Sequence, residues 1–205
     1  MTLLKLLLRF YPIQKGEIRL PSLIGSDPQR RAVSTEGRGI GLDKISHRYW
    51  RSQCGTVLQD GFIFSDTIAN NIVVGDETPN VSKLFHTAKV ANIQSFIESL
   101  PLGYNTKIGA EGNGISQGQR QQLLIARALY KDTAFLFFDE ATNALDANNE
   151  RVIMENLEVF FKDGQMSQRA VVVVAHRLST VKNADQIVVM ENGKIVELGT
   201  HVQLT

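Results

Sequence analysis

Residues 134–146, AFLFFDEATNALD, end an apolar run in two adjacent carboxylates, Asp139 and Glu140. A continuous hydrophobic run marks a strand covered on both faces, and open parallel sheets bind ligands beyond the carboxyl ends of their strands. One carboxylate at such an edge can hold Mg²⁺, which binds through one or two carboxylates together with waters and substrate phosphates. Its neighbour can orient or deprotonate an attacking water. The same residues also describe a strand that runs into an acidic surface turn, so the flanking sequence must separate the two readings.

Two flanking segments favour the chemical one. Upstream, GISQGQRQQLLIARALY (114–130) is a Gly/Ser/Gln loop opening into a segment whose Leu123, Leu124, Ala126, Arg127 and Ala128 suit a helix. The unpaired N–H groups and positive dipole end of such a helix favour phosphate, and Ser116 and Gly118 let the backbone approach an anion closely. Taken singly, Ser116 reads as an N-cap; the downstream acids turn it toward phosphate. Downstream, RAVVVVAHRLST (169–180) is a second buried strand that delivers His176 to the same expected edge. A histidine after a valine run is ordinarily structural, but beside two acids and an anion site it can donate a hydrogen bond to a phosphate oxygen.

In this order, the elements resemble the nucleotide-binding domain of ATP-binding cassette (ABC) transporters. SQGQ at Ser116 to Gln119 resembles the signature loop, LFFDE at Leu136 to Glu140 the Walker B motif, NALD at Asn143 to Asp146 the D-loop, and His176 the switch histidine. VLQDGFIFSDTIANNI (57–72) resembles the Q-loop, with Gln59 where the family senses Mg²⁺ and the attacking water. The similarity runs from about Thr2 to the end of the chain. The wording of FSDTIANNI and LPLGYNTKIGAEGNGISQGQ is most similar to exporters, bacterial peptide exporters among them.

The resemblance implies an α/β fold, a P-loop NTPase-like and mostly parallel sheet lacking its N-terminal strands, with a helical subdomain over about 75–130 that contacts a membrane-spanning partner. Residues 1–205 would form a partial ATP-binding domain. It implies ATP and Mg²⁺ as ligands and a second nucleotide-binding domain as partner, each ATP lying between the Walker motifs of one cassette and the signature loop of the other. In that frame Asp139 holds Mg²⁺ through water, Glu140 polarises the attacking water and His176 contacts the γ-phosphate. Gln59 links Mg²⁺ to the transmembrane domain of an exporter, Ser116, Gln117, Gly118 and Gln119 contact the opposite ATP, and Asp146 communicates across the dimer. Gln117 replaces the first glycine of the usual signature pair, and a side chain there narrows the approach of backbone to phosphate. The implied location is the cytoplasmic face of the plasma (inner) membrane, reached through the transmembrane partner.

One motif of the family does not occur. The P-loop pattern GxxxxGK[ST] supplies backbone N–H groups, a lysine and a Mg²⁺-binding hydroxyl to the phosphates, and the 205 residues contain no match. Residues 1–18 resemble the helix that directly follows that loop, with Met1 where the hydroxyl belongs and Thr2 at the next hydroxyl position. Thr2 is then the one P-loop remnant and a candidate ATP contact, and the chain reads as a truncated cassette with a gap in its sheet. PSLIGSDPQRRAVSTEGRG (21–39) reads as an inserted, solvated loop, its Arg30, Arg31 and Arg38 less suited to a phosphate patch. The expected function is ATP hydrolysis coupled to transmembrane export. The alternative is a non-catalytic cassette that lends its signature loop to an intact partner; a soluble cassette acting in repair or translation is disfavoured by the exporter-like wording.

Composition is consistent with these expectations. With 205 residues and 43% hydrophobic content the chain can bury a sizeable core in one domain. A net charge of +1 argues against a nucleic-acid partner, which would leave a strongly basic face. The single cysteine, Cys54, excludes an internal disulfide and reads as packing. No apolar run reaches a membrane span of roughly 18 residues, and TLLKLLLRF is interrupted by Lys5, so neither signal peptide nor anchor is expected. The apolar periodicity predicts an opening helix ending before Pro12, a helix over 82–100 with Ser82 as cap and Pro101 as stop, and a helix over 148–162. A hairpin is predicted over 186–199 around Asn192-Gly193, and His86 is expected at the surface.

Overall fold

The computed structural model describes residues 2–20, 39–109, 114–162 and 169–205, so the expected insertion lies outside the described residues except for Gly39. The chain opens with α1 (Thr2–Leu7), which buries Leu4 and, just past its end, Leu8; Arg9 leaves the helix with φ 56°, before Pro12. β1 (Arg19–Leu20) and β2 (Ile40–Gly41) pair antiparallel. α2 (His47–Ser52) starts on Ser46, whose Oγ accepts from the Tyr49 N–H at 3.2 Å. Its Trp50 fills the core and donates from Nε1 to the Leu7 carbonyl at 2.8 Å, so the indole is satisfied while its ring is buried.

β3 (Cys54–Val57), β4 (Asp66–Thr67), α3 (Ile68–Ile72), α4 (Val81–Val90), α5 (Gln94–Ser99) and β5 (Lys107–Ile108) follow. Then come α6 (Gln117–Tyr130), β6 (Phe135–Asp139), α7 (Ala147–Lys162), β7 (Ala170–Val174), α8 (Leu178–Val181), β8 (Ile187–Glu191), β9 (Lys194–Gly199) and α9 (His201–Leu204). The central sheet has the order β3-β6-β7. β3 and β6 are parallel, in register from Cys54↔Phe135 to Val57↔Phe138, and Leu136, Phe137 and Phe138 are buried. The architecture is therefore the expected α/β one around a parallel pair, accompanied by short antiparallel ladders β1–β2 and β4–β5.

α6 packs against β3, α3 and α4, and its Leu123, Ile125, Ala126 and Leu129 are all essentially inaccessible. Its approach to β3 is close enough to require Gly55. A Cβ there would lie 2.6 Å from Leu136 Cδ2 and 3.0 Å from the Ala128 carbonyl oxygen. Cys54, next to it, is buried, and burial pushes its thiol up to about 12 against the pull of Lys131, so it behaves as packing rather than as a nucleophile.

The expected single helix over 82–100 is two helices, α4 and α5. Asn92 sits at φ 54° between them, a left-handed turn that asparagine tolerates better than most residues. The cap of α4 is Asn80, whose side chain accepts from the Lys83 N–H at 3.0 Å, not Ser82. His86 on α4 is exposed on one side and stacks on Phe160 of α7 with ring centroids 5.6 Å apart.

The chain divides into two compact units, Met1–Val172 and Val173–Thr205. In the second, β8 and β9 pair antiparallel through Asn192 (φ 50°) and Gly193 (φ 76°), the two positive φ values a tight hairpin turn demands. This hairpin leaves Val188, Met190, Ile195, Val196 and Leu198 exposed.

Candidate functional site

β6 delivers Asp139 as its last residue, and Glu140 follows at φ 51°. A non-glycine residue in the left-handed region stores of order 1–3 kcal/mol, a cost that persists only where neighbours enforce it. Asn143 does so. Its backbone N–H donates to the Glu140 carbonyl at 3.1 Å and its Nδ2 donates to Glu140 Oε2 at 2.5 Å. The turn is fastened to α7 by Thr142 Oγ1, which donates to Glu150 Oε1 at 2.9 Å with both side chains buried.

Gln59 occupies the turn after β3, closed by the Gly61 N–H donating to the Leu58 carbonyl at 3.1 Å, and it is exposed. Because β3 and β6 run parallel with Val57 opposite Phe138, Gln59 and the Asp139–Glu140 pair emerge at the same carboxyl edge. Among the described residues no cluster of three His, Cys, Asp or Glu could hold a metal ion by protein ligands alone.

The signature-like loop forms the start of α6. Ser116 Oγ accepts from the Gln119 N–H at 3.1 Å while Gln119 Oε1 accepts from the Ser116 N–H at 2.8 Å, a reciprocal capping box. Ser116 is thus an N-cap, and Gln119 spends its side-chain oxygen on the same cap. The cap holds open a first turn whose remaining N–H groups lack intrahelical partners. Gly118 faces the D-loop-like turn: a Cβ on it would lie 3.4 Å from the Ala144 carbonyl oxygen.

Asp146 caps α7. Its Oδ1 accepts from the N–H groups of Asn148 (3.1 Å) and Asn149 (2.9 Å), and its Oδ2 from Asn149 Nδ2 at 2.6 Å. The Asn149 backbone bond, followed by the Asn149 side chain, holds this carboxyl below the usual carboxylate range. One groove brings residues 116–119 together with Asp146, Asn149 and Asn92. Asn92 Nδ2 donates to Asn149 Oδ1 at 2.8 Å, and Gln122 Nε2 donates to the Asn92 carbonyl at 2.9 Å, tying the α4–α5 break to α6 and α7.

Ser116, Gln117, Gly118, Gln119 and Asp146 are therefore assembled around one groove, and Gln59, Asp139 and Glu140 share one sheet edge. Thr2 is exposed at the start of α1. His176 is exposed in the unit Val173–Thr205, two residues past β7. Asn92 and Asn149 also line the groove, and Asn71, Arg120 and Arg127 fasten the loop after Gln59 to α6; none of the five stands out in the sequence as a site residue. Nothing in the sequence pattern marks these residues, because the bonds that place them join positions far apart along the chain.

The ABC transporter family model matches residues 1–143. The alpha-hemolysin translocation ATP-binding protein HlyB of Escherichia coli is 42% identical over 203 residues, covering 99% of this chain and 26% of that protein. The putative multidrug export ATP-binding/permease protein YgaD of Bacillus subtilis is 40% identical, with 99% and 31% covered. ABC transporter B family member 13 of Arabidopsis thaliana is 39% identical, with 99% and 14% covered. A solved bacterial Atm1-family ABC exporter with ATP bound matches the fold with TM-score 0.82 at 33% identity, covering 99% of this chain and 32% of that one. The chain spans less than a third of the length of each of these relatives. In sequence and in fold, this chain belongs to the ABC transporter family.

Proposed function

We propose that this chain is part of the ATP-binding domain of an ABC exporter and takes part in ATP hydrolysis that drives transport. The observation that carries the reading is the groove in which the capped N-terminus of α6 meets the turn bearing Asp146. Backbone N–H groups and a positive helix end suit the phosphates of a nucleotide held by a second cassette. At the other edge, Glu140 orients and deprotonates the attacking water, with its carboxylate aimed by Asn143. Asp139 and Gln59 would hold Mg²⁺. A single carboxylate and an amide, with no protein-only cage among the described residues, fit an ion that arrives with nucleotide phosphates and keeps several waters; bound there, it would neutralise charge developing on the phosphates. His176 donates to the γ-phosphate, Thr2 contacts the nucleotide of its own chain, and Asp146 communicates across the dimer while capping α7.

We assign about 75–130, with α4, α5 and α6, as the helical subdomain, and the transmembrane domain of the exporter as its partner. The exposed Phe62, Phe64 and Val74 beside Asp66 and Asp76 offer that partner an apolar surface with an acidic border. No described helix is long and apolar enough to cross a membrane; the location that goes with this reading is the cytoplasmic face of the membrane, beside that transmembrane domain. The second reading is a cassette that hydrolyses no ATP itself and only lends its signature loop, at the start of α6, to an intact partner.

The test is ATP-dependent pairing. A chain extended before Thr2 by a strand and a GxxxxGK loop pairs on ATP addition, and Ser116→Arg abolishes pairing while sparing nucleotide affinity of the monomer. Equal loss of affinity in the monomer would place Ser116 in its own chain's site and refute the groove assignment. Turnover by the extended chain, against pairing without turnover, separates the catalytic reading from the second one.

A further inference from the structure

Arg120, Leu124 and Arg127 recur at i, i+4 and i+7, which places them on one face of α6. That face carries the loop that follows Gln59. Arg120 Nε and Nη2 both donate to the Gly61 carbonyl, at 3.1 and 2.5 Å. At Gly61 the backbone comes so near Leu124 that a Cβ would lie 2.4 Å from its Cδ1. Three residues on, Arg127 donates from Nη1 to the Phe62 carbonyl (2.7 Å), from Nε to the Asn71 carbonyl (2.6 Å) and from Nη2 to Asn71 Oδ1 (3.0 Å). Its guanidinium also lies 5.3 Å from the centroid of the Phe64 ring.

Asn71, 1% exposed, completes the fastening. Its Oδ1 accepts from the Phe64 N–H at 2.9 Å, and its Nδ2 donates to the Phe64 and Thr67 carbonyls, each at 3.0 Å. Burial lowers the Arg127 guanidinium below its ordinary value. Its partners are carbonyl and amide oxygens at three separate points, so the desolvated charge is spent on shaping the loop. Only a planar five-donor fork reaches all three at once; a lysine ammonium is a point donor.

We infer that Arg120 and Arg127 are positioning residues that clamp the loop after Gln59 to α6, so that Gln59 and the phosphate-facing start of α6 move as one body. The clamp begins two residues after Gln59 and one helical turn after Ser116, and its spacing leaves little slack at either end. A displacement of Gln59 is thereby delivered to the signature loop. This assignment rests on the proposed roles of Gln59 and Ser116; the clamp itself rests on the contacts.

Two measurements test it. On the 205-residue chain, amide hydrogen exchange reads the clamp directly. Arg127→Ala speeds exchange at Gly61–Ser65 about tenfold or more, the effect of losing one charge-assisted bond, and Arg127→Lys restores little of the protection. Amides of β3 and β6 keep wild-type rates. The exposed Arg120→Met gives the same local effect if Arg127 variants fold poorly. Unchanged exchange at Gly61–Ser65 in both overturns the clamp. On the chain extended by a GxxxxGK loop, Gln59→Ala and Ser116→Ala have non-additive effects on ATP turnover, and Arg120→Met makes them additive. A purely structural arginine would lower stability and leave the non-additivity in place, which overturns the coupling. If the extended chain with both arginines intact fails to hydrolyse ATP, the functional reading fails, and the exchange data alone decide the clamp.

Discussion

Thr142 gives the sharpest test of how the acidic turn is held. Its Oγ1 donates to Glu150 Oε1 at 2.9 Å, and the two residues are 8% and 7% exposed, so water cannot readily replace the bond. Thr142→Val keeps the shape and removes the donor. A hydrogen bond to a charged group is worth about 1.5–3 kcal/mol, and more is at risk when the acceptor is buried. For a chain of 205 residues, about 2 kcal/mol corresponds to a fall in Tm of about 4–8 °C. Thr142→Ser keeps the hydroxyl and gives up one methyl, about 0.8 kcal/mol, so its loss is less than half as large. Thermal melting followed by circular dichroism on the three chains measures both. If Val and Ser variants melt together, or if Val matches the wild type, the bond does not hold the turn and the account of how Asn143 and Glu140 are positioned fails.

Two further outcomes follow from the geometry. Gly55→Ala forces a Cβ to within 2.6 Å of Leu136 Cδ2 and 3.0 Å of the Ala128 oxygen, an overpacking that costs about 1–3 kcal/mol in urea denaturation; a neutral result would mean that α6 can move away from β3. At Asp132, burial pushes the carboxyl up, but Arg169 and Lys83, the latter with its Nζ at 3.2 Å, together hold it below its ordinary value. Its folded pKa is thus depressed. The stabilisation is complete above the unfolded value of about 3.9 and is lost as pH falls through the lower folded value. The stability gap between wild type and Asp132→Asn is therefore constant from neutral pH down to about pH 5 and closes in more acidic solution; a gap that widened on acidification would reverse the assignment.

The parts of this chain that were legible in the sequence are those where local pattern and tertiary demand agree. AFLFFDE reads as a buried strand ending in acids because both faces of β6 are covered, and Asn192-Gly193 reads as a hairpin because few other residue pairs accept two positive φ values. The reading failed where the two separate. SKLFHTAKVANIQSFIESL keeps its apolar spacing through a break at Asn92, which is set by bonds to Gln122 and Asn149 from elsewhere in the chain. Arg120 and Arg127 look like solvated charges on a helix. Their partners lie 56 to 65 residues away and are backbone and amide oxygens, which leave no trace in a charge pattern. Ser116 is the N-cap that its local pattern predicts, whereas the phosphate role that the family resemblance implies for it leaves no mark in that local geometry and is what the Ser116→Arg pairing experiment tests.

The central claim is that Glu140 activates water for ATP hydrolysis, and one comparison tests it. On the chain extended before Thr2 by a strand and a GxxxxGK loop, Mg²⁺-dependent turnover and calorimetric ATP binding are measured with and without Glu140→Gln. The amide keeps the shape and loses the basic oxygen, so turnover falls by about 10²–10⁴-fold while ATP affinity is unchanged. Turnover at the unmodified rate in Glu140→Gln would contradict the account.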